Sequence, residues 1–123
     1  MRYAFIFITA GFIFLLCGEA LGIWMGVQEN FAQRTAHAHL NLVGGVSLIL
    51  YGLVHRAFPT LASSRLAGLQ LATALLGAVA LPAGIAYVVA TQQPVFAIVG
   101  SFIVVLGTLL FLIMFIRRGS AAQ

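Results

Sequence analysis

Three histidines carry most of the ligand chemistry open to this chain, and two of them, His37 and His39, fall together in the stretch RTAHAHLNLVGGVSLILYGLVHRAFP. An imidazole can hold a transition metal or a haem iron through one ring nitrogen. The third histidine, His55, lies at the far end of the same apolar run, beside Arg56. On a regular helix each residue advances by about 100°, so His37 and His39 point about 200° apart. Chelation of one ion by a helix needs i,i+3 or i,i+4 spacing, so two helical histidines here serve two different partners. If the helix begins later, near Asn41, both rings could instead lie in a loop and bind one ion. Gly44 and Gly45 follow within two turns and allow a flat ligand or another helix to come close. Asn41 adds a polar group that is costly to leave unpaired in an apolar setting.

The elements that must position these residues are four apolar blocks. They run from about Tyr3 to Val27, Ala36 to Phe58, Leu66 to Ala90 and Val95 to Ile116. Each exceeds the roughly 20 residues that cross a bilayer as a helix. Of the 123 residues 63% are hydrophobic and 7% charged, against about 25% charged in soluble domains. The fold expected is all-α: one integral-membrane domain over residues 1–123, a bundle of four transmembrane helices. The linkers QENFAQR, PTLASSR and TQQP are short and polar. The first block is too long for the usual 7–15-residue apolar core of a signal peptide, and Leu16 stands before Cys17 where a lipoprotein signal wants a small residue. Cys17 is the single cysteine, so it forms no disulfide within the chain.

Orientation follows from the arginines. With four spans, Arg2, Arg56, Arg65, Arg117 and Arg118 share one side and Arg34 stands alone on the other. The positive-inside rule then places both termini in the cytoplasm, in an inner (cytoplasmic) membrane, with the H-x-H near the outer face. The net charge of +4 is thereby a topology signal and does not point to nucleic acid. His55 follows His37 by 18 residues, about five turns or ~27 Å on a regular helix. It is expected at the opposite interface, on the His37 face. Outer-edge rings bonded to water and loop carbonyls are the plainer reading of His37 and His39.

The segment AHAHLNLVGGVSLILYGLVHRAFP resembles the H-x-H helix of the catalytic subunit of haem–copper oxidases and nitric oxide reductases. His37, His39, Gly45, Gly52 and Pro59 carry that resemblance, together with the direction across the membrane. It covers about one fifth of the chain. In that family the helix stands between two haems, and the histidines of the pair ligate different ones. The resemblance implies that His37 and His39 are axial ligands to haem iron, of b-type, with Arg34 and Gly45 in the haem-binding set. It implies respiratory chemistry: electron transfer, or the handling of oxygen or nitric oxide.

The departures are large. The family's subunit has many more helices than four, and its copper site takes three further histidines where only His55 remains. Copper therefore does not fit, and a complete oxygen-reducing site within one chain does not either, which leaves enzymatic activity open. The family's subunit resembles three arcs of four helices around a pseudo-threefold axis. A homotrimer of this chain would imitate it, with His37 of one protomer and His39 of the next across a shared porphyrin.

Other polar residues have two readings each. Glu19 inside the first block is a proton or polar site near the haem, or a hydrogen-bonded acid that orders helix association; a charge there costs roughly 2.5–3.5 kcal/mol. Asn41 belongs to the same polar level. Arg34, with Gln92 and Gln93, could meet haem propionates, or be a solvated interfacial charge. Tyr51 is expected in the core, Tyr3, Trp24 and Tyr87 in the interfacial belts. Pro82 is expected to kink the third helix, and Gly100 and Gly107 to line a helix–helix seam. The alternatives to a haem protein are a copper- or zinc-handling membrane protein and a cofactor-free assembly subunit. The bilayer is the one partner common to all of them; a redox partner is implied only by the first.

Overall fold

The computed structural model describes residues 2–119. Four helices dominate them: α1 (Arg2–Gln28), α2 (Arg34–Ala57), α3 (Ala67–Thr91) and α4 (Val95–Arg118). Each is long and apolar enough to cross a membrane, and by length and hydropathy the chain is a multi-pass membrane protein. Lipid offers no hydrogen bonds, so the backbone of each span must satisfy itself, and the helix does so. The outward faces are apolar to match, with Phe5, Val27 and Phe102 all more than 70% exposed.

The helices form two hairpins, α1 with α2 and α3 with α4, which meet largely through α2 and α3. Each tight hairpin turn passes through a left-handed residue, Glu29 at φ 50° after α1 and Gln92 at φ 63° after α3. The α3–α4 hairpin closes on small residues. A Cβ on Gly84 would sit 2.6 Å from the backbone of Ala97, and one on Gly100 would sit 2.8 Å from that of Leu81. Gly107, one heptad on, lies buried against Ala74. Pro82 lies buried inside α3, which runs unbroken past it.

Between the hairpins, Pro59–Ser63 forms a single 3₁₀ segment. It is tied to the end of α4: Thr60 Oγ1 donates to the Arg118 carbonyl at 3.1 Å, and the Arg118 guanidinium donates to Ser63 Oγ. Two buried clusters form the core. One holds Phe7, Leu48, Ala74 and Ala78; the other, nearer the α2–α3 link, holds Leu61, Ala67 and Met114.

The α2 helix is continuous but not uniform. It is α-helical over Arg34–His39, π-helical over Leu40–Val46 and α-helical again over Ser47–Ala57. The wider i→i+5 turns hold Gly44 and Gly45, both buried against α1 side chains, Phe14 and Leu15 respectively. One expectation changes. The helix begins at Arg34, so His37 and His39 are helical and the loop arrangement is excluded. The π turns interrupt the regular α-helical phase between His37 and His55; both rings pack against α1, His37 at Gly18 and His55 at Tyr3 and Phe7.

Candidate functional site

His37 is half-buried against two glycines one turn apart on α1. Its Nδ1 lies 2.8 Å from the carbonyl oxygen of Gly18. A Cβ on Gly22 would come within 2.8 Å of His37 Cε1, and one on Gly18 would overlap the Asn41 amide. Both glycines therefore give the imidazole and the amide room against the α1 backbone. A carbonyl oxygen only accepts, so Nδ1 carries the proton and Nε2 of the neutral ring keeps the lone pair. Asn41 Nδ2 faces that lone pair at 3.4 Å, a long contact, while Asn41 Oδ1 is buried without a partner.

His39 repeats the arrangement by a different route. Its Nδ1 lies 2.8 Å from the carbonyl oxygen of Thr35, one turn back in the same helix. Here too Nδ1 must be the donor and Nε2 the acceptor. Both rings of the H-x-H thus carry the proton on the nitrogen held by backbone, the tautomer in which Nε2 is available to a metal. They point to different surroundings, as the spacing requires. The start of α2 is itself held, with Gln33 Nε2 donating to the Ala86 carbonyl of α3 at 3.4 Å.

The remaining site candidates are dispersed. Gly45 is buried, and its bare face is filled by Leu15 of α1, so close approach there serves helix association. Arg34 and Glu19 are exposed, and Glu19 follows Gly18 directly in the chain. Gln92 and Gln93 are exposed in the α3–α4 turn. Among the described residues no group of three or more His, Cys, Asp or Glu side chains could hold a metal ion, so a multi-ligand copper or zinc site would have to draw on more than one chain.

His55 is packed among side chains in the last turns of α2. It is only 3% exposed, and among the described residues neither ring nitrogen has a hydrogen-bond partner. Its ring stacks on Tyr3 and Phe7 of α1, at centroid distances of 5.6 and 5.7 Å, and meets the edge of Phe111 of α4 at 5.8 Å. Tyr3 is accordingly a core residue as well as an end-of-helix one. Tyr51 shares the cluster, 4.6 Å from Phe111, and its hydroxyl pairs with Thr108 Oγ1 at 2.9 Å. Gln70 of α3 is fully buried, with both amide atoms unpartnered among the described residues.

Sequence reasoning missed Gly18 and Gly22. Their signal was present, a G-x-x-x-G spacing inside an apolar span. It missed Gln70 as well, a polar residue near the start of an apolar block. No family model, no curated protein and no solved structure matches this chain.

Proposed function

We propose that the chain is a membrane haem protein that holds b-type haem through His37 and His39 and works in electron transfer or in the chemistry of oxygen or nitric oxide. The observation that supports this most is the shared tautomer. Two backbone carbonyls, of Gly18 and Thr35, fix Nδ1–H on both rings and leave Nε2 as the ligating atom on each. Axial ligation by imidazole needs that atom and a ring held against rotation. His39 offers its Nε2 directly. His37 does so once the long Asn41 contact is given up, which costs little because it is near the limit of a hydrogen bond. Haem supplies the redox iron; this chain's part is to orient two imidazoles and to surround the group with apolar side chains.

The reading places both termini in the cytoplasm and the H-x-H near the outer face of an inner membrane. Opposed rings on one helix cannot share a porphyrin within one chain, so the natural assembly is a homotrimer with haem between His37 of one protomer and His39 of the next. Heterologous contacts of this kind form a ring when the rotation between protomers closes.

Titration with haem in mild detergent tests the assignment. The parent chain is expected to develop a Soret band that saturates, and His37→Ala and His39→Ala each to lose or shift it. A band unchanged in both variants would refute ligation by the H-x-H. A second reading draws on the same contacts: His37 bonds to α1 and Asn41 bonds to His37, which a cofactor-free assembly subunit would also use to lock its first hairpin. A colourless parent chain whose stability falls on His37→Ala would be its signature.

A further inference from the structure

Among the described residues, one end of the molecule carries basic side chains with no acidic side chain near them. Arg2, Arg56, Arg65, Arg117 and Arg118 cluster there, at the start of α1, the ends of α2 and α4 and, for Arg65, in the link before α3. The chain has two acidic side chains, Glu19 and Glu29. Along α1 they lie about 25 and 40 Å from Arg2, so neither can pair with this group.

Two of these arginines come from different helices and share one groove. Arg2 and Arg56 line a cavity of about 570 Å³ whose other walls are Ala4, Phe5, Ile8 and Thr9 of α1. The order along α1 matters. The guanidinium stands at the helix start, the apolar side chains follow over the next two turns, and Phe5 is 72% exposed along that path. Charge at the membrane edge above an apolar wall is the profile of a phospholipid, with its phosphate above and its acyl chain below. The second basic cavity, lined by Ser64, Arg65, Leu66, Arg117 and Arg118, has a single apolar side chain and lacks that profile.

We propose that the α1–α2 groove binds one anionic phospholipid, its phosphate held between Arg2 and Arg56 and a chain laid along Phe5 and Ile8. Paired guanidiniums suit a phosphodiester because each presents several donors to its oxygens. Basic pockets between transmembrane helices take anionic head groups for the same reason. The site is independent of the haem assignment, since it lies at the opposite end of α2 from the H-x-H.

Native mass spectrometry of the detergent-solubilised full chain would test this, with phosphatidylglycerol and phosphatidylcholine of matched acyl chains added in turn. One phosphatidylglycerol per chain is expected to be retained in preference. Each arginine near the surface contributes roughly a fivefold preference, so Arg2→Gln with Arg56→Gln should reduce it by roughly 30-fold. Arg65→Gln with Arg117→Gln removes the same net charge and should leave the preference in place. An equal loss in that control would mean diffuse attraction and would overturn the site. Equal retention of phosphatidylcholine would overturn it too, as would displacement of the lipid by excess inorganic phosphate, which would mark a site for a free anion. Circular dichroism checks that both double variants keep their helices.

Discussion

At His37 and His39 the backbone does what a second side chain often does elsewhere. A carbonyl oxygen fixes each Nδ1 proton, and the lone pair of each Nε2 follows from that. Room for the His37 ring comes from Gly22, so Gly22→Ala, whose Cβ would meet Cε1 at 2.8 Å, should displace the ring. Haem affinity should fall while the His39 arrangement is unaffected; equal haem binding by the variant would show that the ring has another route. His55 and Gln70 pose the reverse case, buried polar atoms with no partner among the described residues. Unsatisfied donors and acceptors cost about 1–3 kcal/mol each, and apolar replacements of similar shape are neutral or stabilising. His55→Phe with Gln70→Leu is therefore expected to hold or raise the thermal midpoint in detergent and to leave any Soret band intact. A fall of more than about 1 kcal/mol would reveal polar partners for them. Little of this was legible in the sequence. The H-x-H names two ligands, but which carbonyl a ring meets depends on which helix lies beside it. His55 beside Arg56 gives no sign in the sequence of the three aromatic rings, Tyr3, Phe7 and Phe111, that pack on it.

The four spans were legible, because uninterrupted apolar blocks of this length leave the backbone one way to satisfy itself in lipid. The π-helical stretch Leu40–Val46 was not. Its residues suit an α-helix equally well, and the wider turns arise where Gly44 and Gly45 are pressed against Phe14 and Leu15. Removing one residue from that stretch, Val43 for instance, should return α2 to regular α-helix and rotate Ser47–Ala57 by about 100° against the H-x-H. His55 would then leave its aromatic cluster, and a marked loss of thermal stability is expected; an unchanged midpoint would mean that the π turns carry no register. The α3–α4 seam was legible from Gly100 and Gly107, and it is tightest at Gly84. Gly84→Ala should cost about 1–3 kcal/mol through overpacking. Gly26→Ala meets nothing within 4 Å and should be neutral or stabilising by about 0.5–1 kcal/mol. Equal effects of the two would contradict a seam closed at Gly84.

For the molecule as a whole, two ends have different chemistry. One holds the H-x-H and both acidic side chains, the other five of the six arginines. That polarity is what the positive-inside rule reads, and it supports the proposed orientation. Assembly enters because one α2 helix turns its two imidazoles to different surroundings, so a haem with two histidine ligands needs a second chain. Crosslinking in a mild detergent should give a limiting mass of three chains; a limit of one or two would contradict the trimer. The most direct test of the central claim is the absorption spectrum of the purified protein, oxidised, reduced, and reduced under carbon monoxide. Haem held by His37 and His39 predicts a Soret band with sharp reduced bands that carbon monoxide leaves in place, and a shift under carbon monoxide would place one histidine on an iron open to gas. No Soret band, even after haem is supplied, would contradict the account and leave the H-x-H as the lock of the first hairpin.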